Sequence, residues 1–567
     1  MKQIFKYLKP YRVNMLIGFS IKFTGTIVEL AIPWILSYMI DEIIPLKQVS
    51  LILIWGGIML LCAICAVTFN ILANRMASKV ARDTTERVRN DLFSKMICLS
   101  DRQVDAFTLP SLISRATTDT YNIHQMVGMM QRLGIRAPIM LIGGIIITLT
   151  LDPLLTLVMI SVMPIIFITI MYISKVGIPM YSIVQKKVDD FVRVVREDVT
   201  GIRVIKALSK EEHEKERFNA RNDATVIQEK KSGMVMAILN PVMNLCLNVG
   251  TVFVILAGAY RVNSGAIKPG AIIAFLTYVT LILNSLLFIS RVFTNYSKAS
   301  ASAKRITEIL NEKEELPIRN IPIINTDYAI EFRNVSFSYN HKEENVSNIT
   351  FGVKKGETLG IIGATGSGKS TLIKLLMRFY DVDQGSIYIN GQDIRSINMK
   401  KLREKFGVVF QNDFISTDTI YENIRFGRTL ENSAIRSAAD YAKATEFIEG
   451  KAEGFNTKVA VRGADLSGGQ KQRMLIARAI AAHPEILILD DSSSALDYKT
   501  DAVLRKNLTE HFKDTTTIMI AQRISSIFNA DQICVLEDGY VVGYGTHEEL
   551  IESCDVYKEI HKSQMGE

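Results

Sequence analysis

Cysteine is sparse in this chain and builds no framework. The six residues, at 62, 65, 98, 246, 534 and 554, are scattered over 567 positions, which excludes a small disulfide-stapled scaffold. Cys62 and Cys65 form a C-x-x-C, but inside the apolar run SLILIWGGIMLLCAICAVTF. Small residues packing one face of a buried helix explain that spacing better than a redox or metal pair. A cleavable leader pattern is also missing. MKQIFKYLKPYR (1–12) reads instead as a short amphipathic helix lying at a membrane surface, with Lys on one side and Ile, Phe and Leu on the other. Finally, there is no basic tract with interleaved aromatics. The formal charge is +8 and the pI near 8.9, yet Lys and Arg sit in long links between apolar runs. That distribution argues against nucleic acid as a partner.

What is abundant is apolar sequence. Hydrophobic residues make up 48% and mean hydropathy is +0.18, high for a soluble protein and ordinary for one with a membrane half. At 567 residues the chain is too long for one ordinary domain. Six runs, near 13–39, 50–74, 134–151, 153–174, 237–260 and 267–295, are each able to cross a bilayer core. The links between them alternate in length. DEIIPLKQVS, the Asp152–Pro153 break and RVNSGAIK are short, whereas 75–133 and 175–236 are long, polar and rich in Lys and Arg. Together with Lys2, Lys6, Lys9 and Arg12, the long links predict cytoplasmic termini and cytoplasmic loops. The spans are expected to continue as helices beyond the membrane lipid.

Some polar residues fall inside the runs. Lys22 and Glu29 are seven apart and so share a helix face. Charges facing lipid are expensive, so they must face other helices or a watery cavity. Two readings stand: a pair that contacts substrate or a proton, and a structural pair or water-facing residues near the span's ends. Arg291 lies nearer the inner end, where snorkelling is easy.

Past residue 310 the pattern changes. Residues 311–327, with Pro317 and Pro322 and no amphipathic period, read as a linker. Beyond it β runs (AIEFRNVSFSY, TLGIIG, EILILD, TTIMIA) alternate with helical ones such as STLIKLLMRFY. The predicted architecture is therefore multidomain. An N-terminal helix (1–12) and an all-α six-helix transmembrane domain (13–310) lead through the linker to an α/β P-loop domain (328–567) with an antiparallel layer.

GATGSGKS (363–370) fits G-x-x-x-x-G-K-[ST] between a strand-like TLGII and a helical TLIKLLMRF, the context that makes the motif a phosphate loop. Gly363, Ala364, Thr365, Gly366, Ser367 and Gly368 would close backbone N–H groups around phosphates, with Lys369 supplying charge. Ser370 would ligate Mg2+, and Thr371 continues the helix start. Asp490 ends the apolar strand ILIL and reaches the same ion. Asp491 follows it, where a water-activating base is expected.

Between these motifs stands LSGGQKQR (466–473), and with it the chain resembles the ATP-binding cassette (ABC) family across its whole length, in the order of a type IV exporter half-transporter. The resemblance implies ATP and Mg2+ as ligands. It also implies that Tyr339, in VSFSY, stacks on adenine, and that Gln411, in VVFQN, links the magnesium site to the membrane half. Asp497 of SALD (494–497) would face a dimer partner. Ser467, Gly468, Gly469 and Gln470 would complete the partner's nucleotide site. SRATTD (114–119) and GIRVIKA (201–207) resemble the regions around the family's cytoplasmic coupling helices.

Three positions depart from the family pattern, two of them in the nucleotide site. The acid after the magnesium aspartate is usually glutamate there. Asp491 is one methylene shorter, which retracts the carboxylate by roughly 1–1.5 Å, a misplacement able to cost about a hundredfold in rate. Gln522, in IAQRIS, stands at the switch histidine's position and cannot carry an imidazolium's charge. Val461, in TKVAVRG, replaces an acid often found before Arg-Gly. Asp491, Gln522 and Gln411 are thus the catalytic positions of a weak site beside an intact signature. The chain looks like the degenerate half of a bacterial heterodimeric multidrug exporter in the cell membrane. Its partner would be a homologous half with ordinary Glu and His, and its cargo a small hydrophobic or amphiphilic compound. Met126, Met129, Met130, Met140, Met243, Phe275 and Phe288 would suit a greasy cavity, or serve only in packing. Export of lipid, peptide, haem or thiol compounds remains open, as does a nucleotide-gated regulator or channel. With no protease-like segment ahead of the spans, a leader-cleaving peptide exporter is not expected.

Overall fold

The apolar runs become helices far longer than a bilayer requires. In the computed structural model, described for residues 1–565 apart from 314–315, 341–342, 412–413 and 493–494 and the side chains of 170, 174, 178, 239, 290 and 565, ten helices fill the first half. They are α1 (Lys2–Leu8), α2 (Arg12–Tyr38), α3 (Val49–Ile97), α4 (Asp101–Phe107), α5 (Leu109–Ser114), α6 (Thr120–Leu151), α7 (Pro153–Ala207), α8 (Glu211–Ala237), α9 (Leu239–Asn263) and α10 (Pro269–Leu310). At 49 and 55 residues, α3 and α7 run to more than twice the roughly 20 residues a bilayer core takes. Six helical stretches are long and apolar enough to cross a membrane. Large aliphatic side chains such as Leu53, Leu60, Leu61 and Leu157 lie on their exterior, exposed by 62–70%. This is a multi-pass membrane protein.

The chain forms two compact units, Met1–Ile97 with Pro110–Glu312, and Cys98–Leu109 with Lys313–Glu567. In the first, the joints follow from local chemistry. Asp152 closes α6 and caps α7 by accepting from Leu155 N at 2.9 Å, with Pro153 at the first helical position, where its missing N–H costs nothing. The same buried carboxylate takes Arg261 at 2.5 Å. Asp41 accepts from Gly270 N at 2.6 Å, near the start of α10. At Gly144 a Cβ would meet Ile282 Cγ1 at 2.8 Å, so a glycine there lets α6 and α10 close up. Ile4 and Leu8 of α1 are buried in the protein, while Phe5 stays exposed. Two of the three large apolar residues expected at a membrane surface are therefore spent on packing.

Lys22 and Glu29 share a face of α2 but take different partners. Lys22 Nζ donates to Asn70 Oδ1 at 2.7 Å and Asn74 Oδ1 at 3.1 Å. Glu29 pairs with Arg136 of α6 at 2.5 Å. Arg291 lies over the Phe288 ring at 5.9 Å. All six cysteines are free.

The second unit holds two sheets. Strands β1 (Tyr328–Phe337), β2 (Val346–Lys354), β3 (Thr358–Gly363), β4 (Gln384–Ile389), β5 (Gln392–Asp393), β6 (Phe406–Val409), β7 (Ile486–Asp490), β8 (Thr516–Ile520), β9 (Gln532–Glu537) and β10 (Tyr540–Gly545) are ordered β2-β1-β4-β5 and β10-β9-β3-β8-β7-β6. The first sheet is antiparallel. In the second all pairs are parallel save β10–β9. Its central strands are apolar on both faces: ILILD is buried at every residue, as a sheet covered on both sides demands. Within the linker, Arg319 N bonds Arg395 O at 2.8 Å and Ile324 N bonds Gly391 O at 2.9 Å, so that segment is strapped to the small sheet. Helix α4, closed by a capping box of Ser100 and Gln103, clusters with this unit. SRATTD, farther along, stays in the first unit, where buried Asp119 accepts from Ser302 Oγ at 2.7 Å.

Candidate functional site

Three neighbouring parallel strands, β3, β8 and β7, end side by side and build the site. In open α/β sheets the carboxyl ends of strands are where ligands bind, since the chain must turn there and its polar groups face outward. Beyond β3 runs the glycine loop, then α11 (Lys369–Leu376). Gly366 and Gly368 have φ of +91° and +99°. A side chain at Gly368 would meet Val346 Cγ1 at 2.7 Å, whereas around Gly366 there is open space. Only glycine satisfies both demands at Gly368, and the curl leaves backbone N–H groups and a helix start facing one concavity.

That concavity, of about 220 Å³, is lined by Thr365, Gly366, Gly368, Lys369, Ser370 and Thr371 of the loop and helix. The other strand ends contribute Gln411, Asp490, Asp491 and Gln522, with Asn345 and Ile520. Gly363, Ala364 and Ser367 shape it from behind: Lys369 Nζ donates to Gly363 O at 2.8 Å and Ala364 O at 2.7 Å, and lies 3.4 Å from Ser367 Oγ. Burial pushes this ammonium's pKa down, against the pull of Asp490 and Asp491. Burial pushes Asp490 up, as does the neighbouring Asp491, while a hydrogen bond from Ser370 and the charge of Lys369 oppose them. Asp491 is likewise raised by burial, against Arg523 and Lys369. A hydroxyl, a carboxylate and a carboxamide are hard oxygen donors of the kind magnesium takes beside phosphate oxygens. Among the described residues no three His, Cys, Asp or Glu side chains gather as a metal cluster. The fit to magnesium rests on the donor set itself, Ser370, Asp490 and Gln411 lining one cavity.

Asp491 is itself unusual. It adopts φ +51°, sparse territory for a residue with a Cβ, and its N–H is held by Ile520 O at 3.0 Å. Gln522 Nε2 donates to Asp491 Oδ2 at 3.1 Å. The two nucleotide-site positions that depart from the family pattern thus bond to each other.

The signature does not join this cavity. Ser467 caps the helix Gly468–Ile480 in a capping box with Gln470, the Ser467 hydroxyl accepting from Gln470 N at 3.3 Å and the Gln470 side-chain Oε1 from Ser467 N at 3.0 Å. Gly468 and Gly469 pack on residue 495. Tyr339 also stays out of the lining. Its ring meets Phe337 and Tyr380 edge-on at 4.9 and 5.1 Å, its hydroxyl lies 3.4 Å from Thr371 Oγ1, and Lys374 Nζ sits 5.5 Å from the ring centroid. Asp497 is exposed, but its carboxylate caps the helix Tyr498–His511 through Thr500 N at 2.9 Å. Residue 494 lies outside the described residues. Val461 is exposed by 68%.

Three contributors were given no role by the motifs. Asn345 lines the cavity from the small-sheet side. Gln472 ties the signature helix to the acid loop, donating to Asp491 O at 3.4 Å and accepting from Ala495 N at 3.2 Å. Tyr380 donates to Asp105 of α4 at 2.8 Å while its ring touches Tyr339. Asn345 and Tyr380 stand in no motif, and Gln472 lies within LSGGQKQR at a position given no role there. The aromatic pair in RFYD was the only available hint of the last.

Residues 15–286 match the ABC transporter transmembrane region, and residues 346–494 match the ABC transporter family. An uncharacterized ABC transporter ATP-binding protein of Bacillus subtilis, YfiB, is 34% identical over 100% of this chain and 99% of its own. The chain belongs to the ABC transporter family. An uncharacterized ABC transporter ATP-binding protein of Mycobacterium tuberculosis is 32% identical over 99% of this chain and 97% of its own. A solved structure of a bacterial Atm1-family ABC exporter with ATP bound aligns with a TM-score of 0.84 at 25% identity, over 98% of this chain and 99% of that one. This ABC transporter is a transport ATPase with an exporter's fold, and its cavity at the ends of β3, β7 and β8 belongs to the ATP-binding domain.

Proposed function

We propose that this chain is the slow-site half of a heterodimeric exporter of hydrophobic or amphiphilic compounds in the cell membrane. Its transmembrane part would be 13–310 and its cassette 328–567. The observation that carries the reading is the Asp491–Gln522 bond of 3.1 Å. The shortened acid is held by the group that replaces a histidine, so neither is free to orient water or meet a γ-phosphate as Glu and His would. The glycine loop and Lys369 would bind the triphosphate, Tyr339, beside the cavity rather than in its lining, would meet a base reaching out of it, and Ser370, Asp490 and Gln411 would hold magnesium. When bound, that ion neutralises phosphate charge. Ser467–Gln470, whose side chains are committed to their own cap, offer a partner the helix N-terminus and its backbone N–H groups. ATP-driven closure of the cassettes then switches the spans between access states.

The test is ATPase activity of the purified pair. Replacing the partner's catalytic glutamate abolishes turnover, whereas Asp491→Asn in this chain leaves most of it. The opposite pattern, or brisk turnover by this chain as a homodimer, overturns the proposal.

A further inference from the structure

Inside the membrane unit, α2, α3 and α6 gather four charged side chains whose signs do not balance. Among the described residues, the charges that act on Lys22 are Arg136, Glu29 and Arg132, making three cations against one carboxylate. Lys22 is 3% exposed and is satisfied by two amide oxygens, which carry no charge. Arg132 spends its Nε on Gly128 O at 3.1 Å. Arg136 and Glu29 meet at 2.5 Å, yet Arg136 Nε and Glu29 Oε2 are both buried with no hydrogen-bond partner among the described residues. A purely structural cluster would pair each cation or replace it with an apolar group, since uncompensated charge at membrane depth is costly. This one keeps an excess of two positive charges and spare N–H donors.

The same helix continues into an apolar cleft. Met126, Met129 and Met130 of α6, with Phe293 and Tyr296 of α10, line a cavity of about 220 Å³. Met129, Arg132 and Arg136 are spaced i, i+3, i+7 and so lie on one face, putting a greasy, adaptable wall beside guanidinium groups. We propose that Lys22, Arg132 and Arg136 form the headgroup end of the transport site, and that the exported compound is an amphiphile with an anionic group, a carboxylate or a phosphate, whose apolar part lies in the methionine cleft. This rests on the exporter reading above and narrows its cargo. Arginine suits the task because its planar fork takes two oxygens of one anion at once.

The experiment uses the full chain in nanodiscs, without nucleotide. Four pyrene-labelled probes of equal chain length are titrated: a fatty acid, a phosphatidate, an alcohol and a trimethylammonium. At least one anionic probe binds about tenfold or more tighter than the alcohol, and the cation binds worst. Preference for the fatty acid points to free anions as cargo, and preference for the phosphatidate to lipid. Arg132→Gln collapses the preference with little change for the alcohol, and Arg132→Lys keeps part of it. Because Arg136 holds Glu29, the paired E29Q/R136Q variant, which leaves no orphaned charge, serves in its place and also loses preference. Met129→Ala weakens all four probes alike. Equal binding of alcohol and anions, or an intact preference in both arginine variants, overturns the proposal. Anion preference without ATP-driven movement of any probe, whichever partner is added, sinks the exporter reading and leaves the site standing.

Discussion

The two charged centres of this protein are built in opposite ways. In the cassette, Lys369 is held by carbonyls five and six residues away in its own loop, and the acids sit at strand ends fixed by the parallel ladder. In the membrane unit, Lys22 is held by Asn70 and Asn74, and Glu29 by a residue more than a hundred positions away. The first centre collects two carboxylates around one ammonium; the second has three cations and one carboxylate. A site made for a polyanion carrying its own metal ion can tolerate acids in its walls, whereas a site for a bare anion gains nothing from them. Bonds within its own loop hold Lys369 in the first centre, whereas every charge of the second depends on how helices pack.

Breaking the first centre should give the largest effect. Lys369→Ala weakens ATP binding to this chain on the order of a hundredfold, because the charge it offers the phosphates has no substitute in the loop. Titration with a fluorescent nucleotide measures this. Next comes repair of the weak pair: with the partner's catalytic glutamate disabled, D491E/Q522H raises turnover at this chain's site between about tenfold and a hundredfold. An unchanged rate would mean that Asp491 and Gln522 do not limit the site.

The membrane centre answers through stability. Lys22→Met orphans the oxygens of Asn70 and Asn74, costing about 1–3 kcal/mol, read as a lower unfolding midpoint in detergent. The smallest effect is expected at Tyr380→Phe. Its hydroxyl bridges to Asp105 at 2.8 Å, a bond worth about 1 kcal/mol, so the ratio of compound moved to ATP consumed falls a few-fold while nucleotide affinity holds. Equal losses of both would make Tyr380 a folding residue only.

This contrast also explains what the sequence disclosed. Thr365–Thr371 and Asp490–Asp491 are contiguous, and contiguous residues on a strand–loop–helix leave a spacing that can be read. Long helices and a parallel sheet were legible from apolar period and run length. Asn345, Gln472 and Asp105 were not, because each reaches its partner through tertiary packing that no spacing encodes. The partners of Lys22 and Glu29 illustrate the same limit. Their shared face on α2 was correct geometry, but a seven-residue separation says nothing about the helices that pack against that face.

The joint at Asp152 has a mechanical corollary. One residue separates α6 from α7, and its carboxylate is tied at once to the start of α7 and to Arg261 near the end of α9. No slack remains at that corner. Whenever the bundle opens at this end, these three rods must swing as one plank, and the widening has to come from seams elsewhere.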